Sequence, residues 1–172
     1  MNLNDTDFEL FGVPATFAQE RPALDARWKD LQREAHPDRF AAQGPAAQRL
    51  AMQWSVRINE AYQRLKDPVR RAAYLCELHG APVDAERNTA MPPAFLMQQM
   101  EWREALDEAE SPEAVTRLRE EVDAGRASAL SSLGALIDGQ GDHPAAAQQV
   151  RALMFIERFA QDVEDRADRL GQ

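Results

Sequence analysis

Two groups of residues in this sequence have side chains that could take part in chemistry. The first is Cys76 with His79, which lie three residues apart on a predicted helix and could touch as a nucleophile and its base. No third group that could orient the histidine is evident, and Cys76 falls on the inward side of the helix with Val69 and Ala72. We therefore expect Cys76 to be a buried residue that only packs in the core, as free cysteines usually do. A small cysteine hydrolase that uses Cys76 and His79 is kept as the alternative from a different class.

Other kinds of chemistry have little support in the sequence. The three histidines, at positions 36, 79 and 143, include no pair at the spacing of metal ligands. The single cysteine cannot form an internal disulfide or a multi-thiolate site, and no glycine-rich phosphate loop occurs. We therefore expect no metal, no cofactor and no catalytic residue, so that the chain is not an enzyme.

The second group is the tripeptide His36-Pro37-Asp38, which follows a predicted helix. A proline pushes the residue before it out of the helical conformation, so the tripeptide predicts an exposed turn at the tip of a helical hairpin. On the preceding helix Leu24, Trp28 and Leu31 share one apolar face. The opposite side therefore presents basic residues to solvent: Arg27, Lys29 and Arg33. A cationic face beside a polar turn suits docking onto an acidic protein surface, although solvated charges on an ordinary amphipathic helix remain the alternative.

Composition and the positions of proline and glycine predict an all-α fold. Val, Ile and Thr total 15 residues against 30 Ala, so strand formers are scarce. Proline and glycine divide the chain into four short helices (6–11, 22–35, 45–67 and 69–78) and three longer ones (94–109, 112–138 and 144–170). The expected core stripe of the third short helix is Ala47, Leu50, Trp54, Ile58, Ala61 and Leu65. We predict a first domain over 1–80, a proline-rich linker over 81–93 and a three-helix bundle over 94–172.

Charge limits the kinds of partner. The net charge of −9 belongs to the second half, because residues 1–80 carry 11 basic and 11 acidic residues whereas residues 81–172 carry 9 and 18. Residues 21–71 carry a local excess of five positive charges, 11 against 6. Nucleic acid is therefore not an expected partner, and two different protein partners are. No apolar run is long enough to cross a membrane and no signal peptide is visible, so we expect a cytoplasmic protein that binds no membrane.

The helix after the predicted linker has two apolar faces. At about 100° per residue, Phe95, Trp102 and Leu106 cluster on one side together with Ala109 and are expected in the bundle core. Leu96, Met97 and Met100 lie on the opposite side, interleaved with Glu101 and Glu104. Phe155 stands about 130° from the core stripe of the last helix and could extend this second face if the two helices are neighbours. An exposed face of this kind commonly marks a partner site, whereas packing within the protein is the alternative.

Several segments together resemble the J-domain and, over nearly the whole chain, the HscB family of J-type co-chaperones of iron–sulfur cluster assembly. They comprise Phe8–Pro14, the basic helix with its His-Pro-Asp turn, Ile58–Leu65, Asp67–Tyr74, Tyr74–Gly80 and Ala94–Glu108. The resemblance implies a J-domain hairpin followed by a scaffold-binding bundle. It also implies a co-chaperone that binds the iron–sulfur scaffold IscU, delivers it to the DnaK-like chaperone HscA and stimulates the ATPase of that chaperone. A J-domain co-chaperone for a different client is the runner-up of the same class.

The resemblance also assigns residues to each partner. The implied chaperone-binding set is His36, Pro37, Asp38, Arg27, Lys29, Arg33 and Arg39. The implied scaffold-binding set is Leu96, Met97, Met100, Glu101, Glu104 and Phe155. One departure is Ala35, which stands where many J-domains have tyrosine before the histidine. It removes one possible contact and leaves the motif intact.

Overall fold

The computed structural model describes residues 2–85 and 87–171. Within these ranges it contains helices and no strand, so the predicted all-α class is confirmed. The predicted domain limits at residues 1 and 172, and position 86 of the predicted linker, lie outside the described residues. None of the described helices is long and apolar enough to cross a membrane.

The observed helices follow the predicted order. Their bounds are α1 Asp7–Phe11, α2 Arg21–Ala35, α3 Pro45–Lys66, α4 Pro68–Leu78, α5 Pro93–Glu108, α6 Pro112–Gly134 and α7 His143–Leu170. The helix predicted to run to about Asp138 is α6 together with a π-helical turn, Ala135–Gly139, that directly continues it. A short 3-10 helix, Pro37–Gln43, occupies what was predicted as a simple turn.

Local signals explain why the helices begin where they do. Six of them have proline within the first two positions, where its missing N–H costs no helical bond: α2, α3, α4, α5, α6 and α7. Ser111 and Asp142 cap α6 and α7, since each side-chain oxygen accepts a backbone N–H three residues on. Thr6 and Glu9 form a reciprocal capping box at α1.

A buried carboxylate attaches α1 to α3. Asp7 is fully buried, and its oxygens accept bonds from Arg57 at 2.7 Å and from Arg64 at 2.6 and 2.9 Å. The Tyr74 hydroxyl lies 3.0 Å from the backbone nitrogen of Asp7, which donates to it. The hydrogen bond to Asp7 also raises the pKa of Arg64, so that guanidinium stays charged. These bonds offset the cost of removing the carboxylate from water and fix α1 on α3.

Helices α2 and α3 are joined across their exposed edge by polar bonds. The Asn59 side-chain oxygen accepts from Trp28 Nε1 at 3.0 Å and from Gln32 Nε2 at 2.8 Å. One helical turn further on, the Tyr62 hydroxyl donates to Asp25 at 2.6 Å, and its ring stacks on Trp28 with centroids 4.8 Å apart. The hairpin that ends in the His-Pro-Asp turn is thereby held in register.

The predicted core stripe of α3 is only partly correct. Ile58, Ala61 and Leu65 are fully buried, as expected. Leu50 is 49% exposed, so its placement in the core was wrong. Near the beginning of α3 the 3-10 helix leaves a groove of about 280 Å³ between itself, α2 and α3, and Leu50 borders that groove.

The C-terminal bundle buries the predicted inner face of α5, namely Phe95, Trp102, Leu106 and Ala109. On α7 the buried set includes Ile156 and Phe159. Arg151 is also buried there, and its guanidinium donates to the carbonyls of Val83 and Ala90 at 2.6 and 2.8 Å. The segment predicted as a linker is therefore fixed to α7 by hydrogen bonds.

Backbone contacts divide the chain into two compact units, Met1–Tyr74 and Leu75–Gln172. We call them the N-terminal unit and the C-terminal unit. The division falls within α4, between Tyr74 and Leu75. The predicted functional domains, 1–80 and 94–172 with a linker between them, stay a prediction.

Gly125 allows α5 and α6 to approach closely. A Cβ atom at this position would lie 2.7 Å from the outer ring carbon of Trp102, which is buried and cannot move away without disturbing the core. We expect Gly125→Ala to lower the free energy of unfolding by about 1 kcal/mol. Overpacking costs roughly 1–3 kcal/mol, and removing a helical glycine returns about 0.5–1 kcal/mol. Urea denaturation measures the difference.

A second variant isolates the contact. In a Trp102→Leu background the added methyl group has space, so the same Gly125→Ala change should raise the free energy of unfolding. Equal destabilisation in both backgrounds would show that the Trp102 ring is not the cause.

Candidate partner-binding surfaces

The His-Pro-Asp tripeptide lies on an ordered and exposed turn of the N-terminal unit. His36 ends α2 in an extended conformation, and its Nδ1 accepts the backbone N–H of Asp38 at 3.2 Å. The neutral ring therefore carries its proton on Nε2, which is free to donate to a partner. The Asp38 side chain is 92% exposed, so its carboxylate is also available. Arg39 Nη1 donates to the Arg33 carbonyl at 3.2 Å and fixes the turn against the end of α2.

A basic groove adjoins this turn. Its volume is about 500 Å³, and its lining comprises Trp28, Lys29, Gln32, Arg33, His36 and Arg39. Trp28 supplies the apolar floor because Asn59 and Tyr62 hold its indole in place. Four of the predicted chaperone-binding residues thus lie together, and Pro37 and Asp38 follow directly in the chain. Arg27 does not line the groove.

The second face of α5 is exposed, as the helical spacing predicted. Leu96, Met97 and Met100 are 45%, 67% and 74% exposed, and Phe155 on α7 is 37% exposed. Within the C-terminal unit this face is therefore not core. Side chains of this size on a surface are expected where a partner covers them.

An apolar groove between α5 and α7 brings these residues together. Its volume is about 750 Å³, and its lining comprises Leu96, Gln99, Met100, Arg103, Glu104, Asp107, Glu108, Phe155 and Phe159. The expected extension of the α5 face by Phe155 is confirmed. Met97 and Glu101 are exposed on the same helix and lie outside the groove lining.

Sequence reasoning missed five residues of this groove: Gln99, Arg103, Asp107, Glu108 and Phe159. A helical spacing of three, four and seven residues from Met100 would have found Arg103, Glu104 and Asp107 on one face. Phe159 lies four residues after Phe155 on α7, so the same spacing applied to Phe155 would have found it, although its ring is buried.

The cysteine–histidine pair does not have the environment of a nucleophile and base. Cys76 is buried, and burial raises the pKa of its thiol to about 11, while the charge of Arg151 acts weakly in the opposite direction. Its sulfur lies 3.7 Å from the carbonyl oxygen of His143. His79 Nδ1 is bonded to the Leu75 carbonyl, and its ring stacks on that of His143 with centroids 3.8 Å apart. Among residues 2–85 and 87–171, no three His, Cys, Asp or Glu side chains are grouped so that they could hold a metal ion.

Two solved structures share this arrangement of helices. One is the human co-chaperone protein HscB, with a TM-score of 0.88 at 25% identity, covering 96% of this chain and 84% of that one. The other is the chaperone HscB from Vibrio cholerae, with a TM-score of 0.82 at 37% identity, covering 96% and 99%. The fold is therefore that of an all-helical co-chaperone.

The sequence comparisons identify the family. The HscB co-chaperone homologue of Burkholderia mallei is 49% identical over 173 aligned residues, which span 99% of this chain and 98% of the relative. The family model for the HSCB C-terminal oligomerisation domain matches residues 91–164. This chain belongs to the HscB family of co-chaperones.

The Cys76 environment gives a prediction about pH. The pKa of the folded thiol, about 11, lies above its ordinary value of 9.0. The folded state therefore holds the proton more tightly, and this contribution to stability is complete below pH 9 and lost as the pH rises towards 11. We expect the urea midpoint of the native protein to fall between pH 9 and 11 more steeply than that of a Cys76→Ala variant.

Thiol titration provides the control. At pH 8 the folded protein should react with a disulfide reagent at least about 100-fold more slowly than the protein in urea, because a shift of two pKa units lowers the thiolate fraction by that factor. Rapid reaction of the folded protein would restore the cysteine hydrolase as a candidate.

Proposed function

We propose that this protein is a co-chaperone that binds the iron–sulfur scaffold IscU and delivers it to the DnaK-like chaperone HscA. It accelerates the ATPase of that chaperone and so promotes cluster transfer and the maturation of iron–sulfur proteins. The observation that carries the proposal is the pair of distinct surfaces in a member of the HscB family. One is a basic groove beside an exposed His-Pro-Asp turn, and the other is an apolar groove with acidic residues around it.

The chaperone would dock on the basic groove. Lys29 and Arg39 place positive charges around Trp28 together with Arg33, which is paired with Asp30 at 2.8 Å. This combination suits an acidic surface with an apolar contact at its centre. Such charges mainly increase the rate of association and fix orientation. His36 and Asp38 then present one donor and one acceptor at fixed positions, because the 3-10 helix holds them.

The scaffold would dock on the apolar groove. Leu96, Met100 and Phe155 form a contiguous apolar anchor, and a few such anchors carry most of the energy in a typical interface. A co-chaperone without a dedicated client would have no need of this surface, which favours a specific client over a general one. The protein would have no catalytic step of its own, and its single thiol suits the reducing cytoplasm.

Asp38→Asn tests the chaperone surface. We expect this variant to lose stimulation of the HscA ATPase while its helical content and unfolding midpoint stay unchanged, because the side chain is exposed and supports no packing. Steady-state ATP hydrolysis with and without the co-chaperone is the measurement. Asp168→Asn, an identical change at an exposed position of α7, is the matched control and should retain full stimulation. Normal stimulation by a folded Asp38→Asn protein would rule out the J-domain assignment.

The triple variant Leu96→Ala, Met100→Ala and Phe155→Ala tests the scaffold surface. It should lose IscU binding in calorimetry and keep stimulation of the basal HscA ATPase, because the His-Pro-Asp turn is untouched. A core site would lose roughly 2–5 kcal/mol per large-to-small change, whereas these exposed side chains should leave the melting temperature almost unchanged.

The chain offers a matched control for this truncation. Leu50, Met52 and Val56 are similarly exposed apolar residues of α3, at 49%, 55% and 52%. Truncating these three to alanine removes a comparable apolar area and should preserve IscU binding. Equal loss in both triple variants would contradict a specific groove.

A further inference from the structure

Three arginines on α5 and α6 are paired with carboxylates on α7. Arg103 bonds to Asp162 at 2.9 Å, Arg119 to Glu164 at 2.6 Å and Arg126 to Glu157 at 3.1 Å. Arg158 differs. It is exposed, and in the part of the chain that the structure describes it has no ion pair or hydrogen bond. Its guanidinium carbon lies over the Phe155 ring, 5.5 Å from the centroid.

The opposite edge of the apolar groove has the opposite charge. Glu104, Asp107 and Glu108 line this edge and are exposed on α5, and none of them forms an ion pair with another residue of the ranges 2–85 and 87–171. The one arginine of α5, Arg103, is neutralised by Asp162 and lies against the Phe159 ring at 4.8 Å. The groove therefore has an acidic edge on α5 and an apolar floor. Arg158 is not one of its lining residues, but it adds a positive charge next to the groove on the α7 side, against the ring of the lining residue Phe155.

We infer that Arg158 is a specificity-determining residue of this groove and binds a carboxylate of the scaffold. The scaffold segment that fits has an apolar side chain on Phe155, a carboxylate facing Arg158 and a lysine or arginine facing the α5 edge. This inference rests on the proposed function, since it describes how the same groove recognises its client.

Two physical properties favour this role for Arg158. The contact with the ring of Phe155, which lines the groove, restricts the guanidinium of Arg158, so less side-chain freedom is lost when a partner binds. The planar guanidinium can donate two parallel bonds to one carboxylate, which a lysine cannot do. Because the two edges of the groove carry opposite charges, a segment inserted in the reverse direction would place like charges together. The groove thereby fixes the direction of the scaffold segment as well as its position.

Reversing the charge of Arg158 tests the inference, because the direction in which the affinity for the scaffold changes depends on what Arg158 binds. If the scaffold presents only positive charge to this acidic unit, Arg158→Glu should leave the affinity unchanged or increase it. If Arg158 binds a carboxylate, Arg158→Glu should weaken the affinity by about ten-fold or more, because an attraction is replaced by a repulsion. Calorimetry of the full-length protein with purified IscU, at low and at high salt, measures this change. We expect the loss to be smaller at high salt.

Three further variants complete the test. Arg158→Gln removes the charge without adding repulsion and should still weaken binding several-fold. Arg158→Lys keeps the charge without the planar guanidinium and should lie between Arg158→Gln and the native protein. Arg117→Glu makes the same charge change at an exposed position of α6 that has no ion pair or hydrogen bond within the described ranges, and it should bind within two-fold of the native protein. Stimulation of the basal HscA ATPase by each variant shows that the fold is intact.

Every outcome is decisive. Weaker binding by Arg158→Glu and Arg158→Gln, with Arg117→Glu unaffected, supports the inference. Unchanged or tighter binding by Arg158→Glu, or native affinity of Arg158→Gln, overturns it and leaves the proposed function in place. Failure of the native protein to bind IscU overturns both.

Discussion

The N-terminal unit depends on one buried carboxylate. Asp7 is removed from water, so its charge is tolerable only because two guanidinium groups from α3, those of Arg57 and Arg64, surround it. Breaking such a buried pair by removing one partner typically costs about 3–5 kcal/mol, because the other charge is left unpaired. The cluster fixes α1 to the C-terminal half of α3. The His-Pro-Asp turn at the far end of the hairpin, about 30 residues along the chain from Asp7, then has a rigid support.

The fold was predictable because the residues that begin and end its helices act locally. Proline at the beginning of a helix and a capping Ser or Asp act within one turn, so a reading of the sequence placed most helix ends within one or two residues. The failures have non-local causes. The exposure of Leu50 follows from the path of the preceding 3-10 helix, which the periodicity of α3 cannot reveal. The Asp7 cluster joins residues 50 and 57 positions apart, and no sequence pattern indicates such a pairing.

The candidate surfaces were predictable to different extents. The exposed face of α5 follows from helical spacing alone, because Leu96 and Met100 cannot share a side with Trp102. The resemblance to a family supplied the roles of these residues and those of the His-Pro-Asp turn. Neither helical spacing nor the family resemblance indicates the positive charge of Arg158 beside the groove. The role inferred for Arg158 follows only from the groove between α5 and α7 and from the position of its guanidinium over Phe155.

The close contact between Gly125 and Trp102 has a consequence for how the sequence of this bundle can diverge. The space of one missing Cβ atom on α6 is filled by the outer edge of the indole on α5. A relative that carries any side chain at the position of Gly125 must therefore have a smaller residue at the position of Trp102, or a wider spacing between the two helices. The two positions should covary across alignments, and glycine followed later by tryptophan is the order of substitution that avoids an overpacked intermediate.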